Sequence, residues 1–305
     1  MKNKTLLGYS SHYLKNYNSK KVFKAVLFYF YKNLKLSLLN TNTKKIIKVN
    51  GYNMFVVPND KGISLELLLF RTHEPLTTKM TSSLLKNGMI CVDIGSNIGY
   101  YALLENKIVG KDGRVFAIEP SPINLSYLNK NLKLQNSSNV KTYNIAIGNT
   151  DGMTKLEIKG KSNHCKVVTE DQIISNEQDV INVPVKKLDT FVQEQNIPKL
   201  DFIRMDVEGF ELHIVEGMTN VLRKFRPIVQ IEVHKKFLGK DNTKKLLKRF
   251  KDEGYDVKYY ISKDMEYPII GNMKDIKNYD IDNLLEMIEV NSIPDFFIIF
   301  LEKQN

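Results

Sequence analysis

The stretch "CVDIGSNIGYY", Cys91–Tyr101, decides the fold. Its opening residues are apolar apart from Asp93, as a buried strand requires, and Gly95 and Gly99 bracket a turn that leads into a helix. Strand, glycine turn and helix in that order begin an open parallel sheet, where ligands bind at the carboxyl ends of strands. Outward from this point the two periodicities alternate. Strands are expected at 89–94, 114–119, 139–145, 200–206, 228–233, 255–261 and 295–301. Helices are expected at 98–109, 122–135, 187–196, 209–224, 241–253 and 280–290. The segment 146–185 breaks the rhythm as a small strand excursion with a mobile loop near 160–178. Upstream, "KIIKVNGYNMFVVPND" reads as a hairpin turning at Asn50-Gly51, followed by two helices that Pro75 separates and Gly88 closes. The fold class is α/β, a mostly parallel sheet with helices on both faces.

The glycine turn restricts the ligand. A nicotinamide fingerprint needs G-x-G-x-x-G, and position 97 is Asn, so the glycine that lets backbone meet a pyrophosphate is missing. Asp93 at the strand end would repel phosphate and attract an ammonium group. Glu119 ends the next strand, twenty residues beyond Gly99, where an acid can accept hydrogen bonds from both ribose hydroxyls. A ligand with a ribose, an amino group and no phosphate is S-adenosylmethionine rather than NAD. Capping of the following helices is the alternative role for Asp93 and Glu119. Tyr100 and Tyr101 either flank the cofactor or pack. Residues Asn144 to Ala146 fall where the adenine belongs, with Asn144 either a hydrogen-bond partner or a turn former.

The fourth strand ends in "FIRMDVEGFE", which puts Asp206 at its carboxyl end and Glu208 in the turn, with Glu211 supporting the next helix. The fifth strand ends in "IVQIEVH", and strand alternation sets Glu232 and His234 on one face. A near-neutral imidazole suits a general base, so Asp206, Glu208 and His234 are the catalytic candidates. Asp206, Glu232 and His234 could instead meet a divalent metal, but separate positions do not establish that geometry and no metal is assigned. His73 and Glu74 either fold over the cofactor or end a helix. H-E-x-x-H, C-x-x-C and a phosphate loop ending in G-K-[ST] are absent, as is the N/D-P-P-Y/F signature of amino-group methyltransferases acting on planar bases.

"GMICVDIGSNIGYYALL", "GRVFAIEPSPINLSYLNKNLKLQN", "IAIGNTDG", "KKLDTFV", "DFIRMDVEGFELHIVEGM" and "RPIVQIEVH" together resemble the FkbM-type S-adenosylmethionine-dependent methyltransferases. The likeness runs from about Ile63 to His234. It implies a class I methyltransferase fold of seven strands with the last antiparallel. It also implies cofactor contacts at Asp93, Gly95, Asn97, Gly99 and Glu119, and O-methylation of a hydroxyl on a sugar or polyketide.

Charge divides the chain. Residues 1–59 carry 11 lysines and no acid, whereas the other 34 basic residues face 34 acidic ones. Two domains are therefore expected: a basic, aromatic-rich N-terminal extension with the hairpin, 1–59, and a methyltransferase domain, 60–305. The head suits a solvated cap or an anionic membrane surface, and through the latter a lipid-linked glycan acceptor. It could also grip RNA, which makes an RNA methyltransferase one alternative; a non-catalytic S-adenosylmethionine-binding module is the other. Nucleic acid is the less favoured partner. No apolar run reaches the ~20 residues of a membrane span, so a cytoplasmic protein that could sit peripherally at the membrane is expected. Two cysteines, Cys91 and Cys165, cannot build a disulfide framework and suit a reducing compartment.

Overall fold

In the computed structural model the described residues are 45–60, 62–158, 165–168, 179–266 and 273–304, with helical positions between 23 and 34. The chain opens with the hairpin β1 (Lys45–Val49) and β2 (Tyr52–Val56), then α1 (Ile63–Phe70) and α2 (Pro75–Leu84). The β/α alternation follows: β3 (Ile90–Ile94), α3 (Tyr100–Val109), β4 (Arg114–Ile118), α4 (Pro122–Leu134) and β5 (Val140–Tyr143). A strand excursion comprises β6 (Ala146–Gly148), β7 (Gly152–Ile158), β8 (Cys165–Val168) and β9 (Val180–Lys187), and leads to α5 (Leu188–Glu194). Then come β10 (Phe202–Met205), α6 (Glu211–Glu216), α7 (Thr219–Phe225), β11 (Ile228–Val233), α8 (Lys235–Asp252), β12 (Tyr255–Ser262), α9 (Ile281–Glu289) and β13 (Phe297–Lys303).

The main sheet has seven strands in the order β12-β13-β11-β10-β3-β4-β5. Pairing is parallel from β5 through β11, and β13 runs antiparallel between β11 and β12. Seven strands, mostly parallel with the last antiparallel, are what the resemblance implied. Alternation along each strand feeds two layers. Ile90, Val92 and Ile94 join one hydrophobic cluster with Ile203 and Met205, whereas Cys91 joins a second with Phe202. The second cluster also holds Ile47, Val49, Tyr52, Met54 and Val56, so the hairpin's inner face is packed on α3 and α4. Asn131 of α4 pins it there: its Oδ1 accepts from Phe55 N at 2.6 Å, and its Nδ2 donates to the carbonyls of Phe55 and Ile98.

Three elements differ from the expected pattern. The helix expected over 209–224 is split into α6 and α7 at Gly217-Met218, because a Cβ on Gly217 would lie 2.0 Å from the carbonyl oxygen of Gly148. α8 starts six residues earlier than expected and is kinked at Gly239, whose φ is +79°. The loop expected near 160–178 contains β8, which completes a second sheet of order β6-β9-β7-β8; its flanks lie outside the described residues. Of the basic extension expected over 1–59, residues 1–44 also lie outside them, apart from the helical positions between 23 and 34. Among the described residues no helix is long and apolar enough to cross a membrane.

Tyr100, read from the sequence as either flanking the cofactor or packing, borders the cavity described below, is 1% exposed and braces the fold. Its hydroxyl accepts from Asn50 Nδ2 at 3.0 Å and His73 N at 3.2 Å, donates to His73 O at 3.0 Å, and lies 3.0 Å from Thr78 Oγ1. The hairpin, the α1–α2 link and α3 are thus tied at one oxygen. Tyr100→Phe keeps the ring and strands these partners. It should lower stability by roughly 1–3 kcal/mol in urea unfolding; an unchanged midpoint would remove the brace.

Candidate active site

β3 pairs with β4 on one side and β10 on the other, so the connections leave it in opposite directions and open a crevice at the strands' carboxyl ends. A cavity of about 520 Å³ occupies that crevice. At the β4 side it is lined by Gly95, Asn97, Glu119 and Ala146, with Ile118, Ile147, Leu156 and Val167 as apolar walls. At the β10 and β11 side the lining is ionic: Glu74, Asp206, Glu208, Glu232, His234 and Lys263.

The glycine turn is held by backbone. Gly95 N and Ser96 N both donate to Ile118 O, at 2.9 and 3.0 Å. Gly95 has φ +81°, and a Cβ there would lie 2.0 Å from the carbonyl oxygen of Asp206, so only glycine lets the turns after β3 and β10 meet. Glu119 is 3% exposed. Its Oε2 accepts from Asn97 N at 2.8 Å and its Oε1 from Ser121 N at 2.9 Å. Burial outweighs these bonds and pushes its pKa up to about 7.

The other expected strand-end acid sits elsewhere. Asp93 is fully buried and does not line the cavity, because Arg204 takes its carboxylate. The two are register partners across β3 and β10, and Arg204 Nη1 donates to Asp93 Oδ1 at 3.0 Å. Arg204 Nη2 donates to Asp206 Oδ2 at 2.9 Å, and the guanidinium carbon lies 4.0 Å from the centre of the Tyr101 ring. Burial opposes the arginine's charge, but Asp93 and then Asp206 overcome that and hold it charged. Charge selection at the crevice therefore falls to other carboxylates. Gly99 also lies off the cavity: its φ is +92°, and a Cβ would meet Leu128 Cδ1 at 2.5 Å, so it serves packing of the turn on α4. Asn144 likewise turns to backbone, donating from Nδ2 to the carbonyls of Glu119 and Pro120.

The sequence candidates Asp206, Glu208 and His234 do come together. His234 Nε2 lies 3.8 Å from Asp206 Oδ1, 3.5 Å from Glu208 Oε2 and 3.7 Å from Glu232 Oε1. Its Nδ1 is bonded to Glu211 Oε1 at 2.5 Å. Burial works against the imidazolium, but Glu211, followed by Glu232 and Glu208, pushes its pKa up to about 10. A near-neutral free base is therefore not what this histidine is. Burial pushes Glu232 up to about 8 in spite of Lys263, whose Nζ lies 2.9 Å from both its oxygens. Lys263 also bonds Glu74, whose other oxygen accepts from Tyr101 OH at 2.8 Å. Glu208 and Glu74 both have left-handed backbone, φ +54° and +42°, an unfavourable conformation that aims them at the crevice.

Arg204 and Lys263 were not singled out from the sequence. The alternation of Arg204 with Asp206 on one strand face was an available signal; Lys263, in a turn after β12, offered none.

The crevice fits a cationic nucleoside. Two backbone donors occupy part of the Glu119 carboxylate, leaving lone pairs for ribose hydroxyls. Aliphatic walls beside Ala146 suit an adenine, and the anionic far side suits a sulfonium and an ammonium. Residues 93–257, more than half of the chain, match the family model described as the methyltransferase FkbM domain. "Methyltransferase 1" of Beauveria bassiana is 28% identical over 143 residues, covering 42% of this chain and 57% of that protein. "Hexuronic acid methyltransferase AglP" of Haloferax volcanii is 30% identical over 157 residues, covering 50% and 59%. The chain thus spans under two thirds of either relative. The crystal structure of methyltransferase FkbM from Methylobacillus flagellatus superposes with a TM-score of 0.40 at 18% identity, over 64% of this chain and 48% of that one. The chain belongs to the FkbM-type family of S-adenosylmethionine-dependent methyltransferases.

Proposed function

We propose that this protein transfers a methyl group from S-adenosylmethionine to a hydroxyl, with a saccharide as the favoured acceptor over a polyketide. The observation that carries this is the composition of the cavity: an acceptor side crowded with carboxylates, continuous with an apolar side walled by Ile118, Ile147, Leu156 and Val167. A polyol offers many hydroxyl donors to such a surface, whereas a greasy polyketide would leave the carboxylates unpaired. The relative that acts on a hexuronic acid supports the same choice, and Lys236 and Lys263 on the lining could neutralise an acidic sugar.

The cofactor would supply a methyl carbon activated by its sulfonium. The remaining work belongs to the chain. Glu119 takes the ribose, Gly95 and Asn97 close over the nucleoside, and Ala146 borders the base. Alignment of the acceptor oxygen would be worth about 7–11 kcal/mol of barrier. The carbon–sulfur bond would break as the oxygen–carbon bond forms, and the hydroxyl proton would pass to a carboxylate of the Asp206–Glu208–His234 cluster, since Glu211 favours the protonated imidazole.

The reading is tested by incubating the protein with methyl-labelled S-adenosylmethionine and acidic oligosaccharides. Label in an alkali-stable ether supports it, and label in RNA alone overturns it. Asp206→Asn should leave cofactor binding intact while lowering kcat by about 10²–10⁴-fold; undiminished kcat would move the proton acceptor elsewhere. Glu119 binds ribose as the carboxylate, so cofactor affinity should rise with pH and level off above about 7. Below that pH it should fall by about tenfold per unit. In Glu119→Gln calorimetry should find affinity about 10–100-fold weaker and independent of pH over this range.

A further inference from the structure

At the ends of β10 and β11 the side chains enclose a point. One ligand atom each from Asp206, Glu232 and His234 lie within 4.8 Å of one another. Donor atoms around one octahedral cation stand about 3–4.6 Å apart at ordinary bond lengths, so small side-chain shifts would close the set. Glu208 Oε2 stands beside it, 3.5 Å from His234 Nε2.

Two further observations point to a cation rather than to a chance group of acids. His234 is 2% exposed, and its Nε2, aimed at three carboxylates, makes no hydrogen bond to any described residue. Its other nitrogen is fixed by fully buried Glu211, whose Oε1 also accepts from Gly209 N at 3.0 Å. A carboxylate behind a histidine, orienting the ring so that its second nitrogen faces inward, is the arrangement that supports metal-bound imidazole.

Charge agrees. Among the described residues Glu74, Asp206, Glu208 and Glu232 line this region with Glu211 behind His234, while Lys263 is ion-paired to Glu74 and Glu232, and Arg204 is shared between Asp206 and Asp93. A cation bound here would take the place of the proton on His234 Nε2.

We propose that Asp206, Glu232 and His234, with Glu208 beside them, bind a divalent cation that holds the acceptor through two of its oxygens. Hard carboxylate oxygens with one imidazole nitrogen suit Mn²⁺, and Mg²⁺ after it. A hydroxyl next to a second hydroxyl or a carboxylate would fill the remaining positions, and the cation would ease loss of the hydroxyl proton. The cation site stands on its own geometry; only the acceptor's part rests on the methyl-transfer reading above. Lys263 is the resident competitor, since its Nζ contacts both oxygens of Glu232.

The test uses the full chain, freed of metal with a chelator and titrated with Mn²⁺, with free Mn²⁺ followed by electron paramagnetic resonance. One ion per chain is expected. Asp206→Asn and Glu232→Gln should each weaken binding at least tenfold, and Glu211→Gln by about 10–100-fold although it touches no metal. Lys263→Met should tighten it. S-adenosylhomocysteine binding serves as the folding control for each variant. No uptake by the wild type at millimolar Mn²⁺, or uptake unchanged in the Asp206 and Glu232 variants, overturns the site. Methyl transfer that runs equally fast in excess chelator overturns the acceptor-holding role and leaves the proposed function standing. Metal binding without transfer to any hydroxyl counts against the proposed function and leaves the cation site standing.

Discussion

The buried guanidinium of Arg204 holds the switch point of the sheet together. It joins Asp93 at the end of β3 to Asp206 beyond the end of β10, with the face of Tyr101 against it. Both strands reach their carboxyl ends there, and the two turns meet closely enough that a side chain on Gly95 would collide with the backbone of Asp206. Removing the arginine would leave the buried Asp93 without its cation, at a cost of about 3–5 kcal/mol. The crevice keeps its shape because breaking this arrangement is more unfavourable than keeping it.

One face of the sheet carries all of this chemistry. Arg204 and Asp206 alternate with Ile203 and Met205, and Glu232 and His234 alternate with Ile231 and Val233. The apolar set goes into the main core, and the polar set faces α1, α2 and the cavity. Helix and hairpin packing above that face, tied at the Tyr100 hydroxyl, brings Glu74 and Tyr101 down onto the ionic cluster. Tyr100 both borders the cavity and, through its hydroxyl, supports the roof above it.

The architecture was legible because each strand and helix announces itself by local period, and all seven main-sheet strands lie where alternation put them. The glycine turn and the place of Glu119 at the end of its strand were legible for the same reason, since both are set by local sequence. What escaped was pairing at a distance. Nothing near Asp93 reveals that an arginine 111 residues later lies opposite it in register. His234 reads as a near-neutral base until Glu211 is found on its Nδ1. The break at Gly217 depends on the Gly148 backbone, a contact no single window contains. Lys263 enters the site only through tertiary folding.

The central claim is that the nucleoside lies on Glu119 while Asp93 stays with Arg204, leaving the carboxylates after β10 and β11 to face the reacting groups. A crystal structure with bound S-adenosylhomocysteine tests this directly. Both ribose hydroxyls within hydrogen-bond reach of Glu119, the homocysteine sulfur directed toward Asp206, and an unbroken Asp93–Arg204 pair are the result this account predicts. A ligand amino group bonded to Asp93, or a ribose away from Glu119, would contradict it.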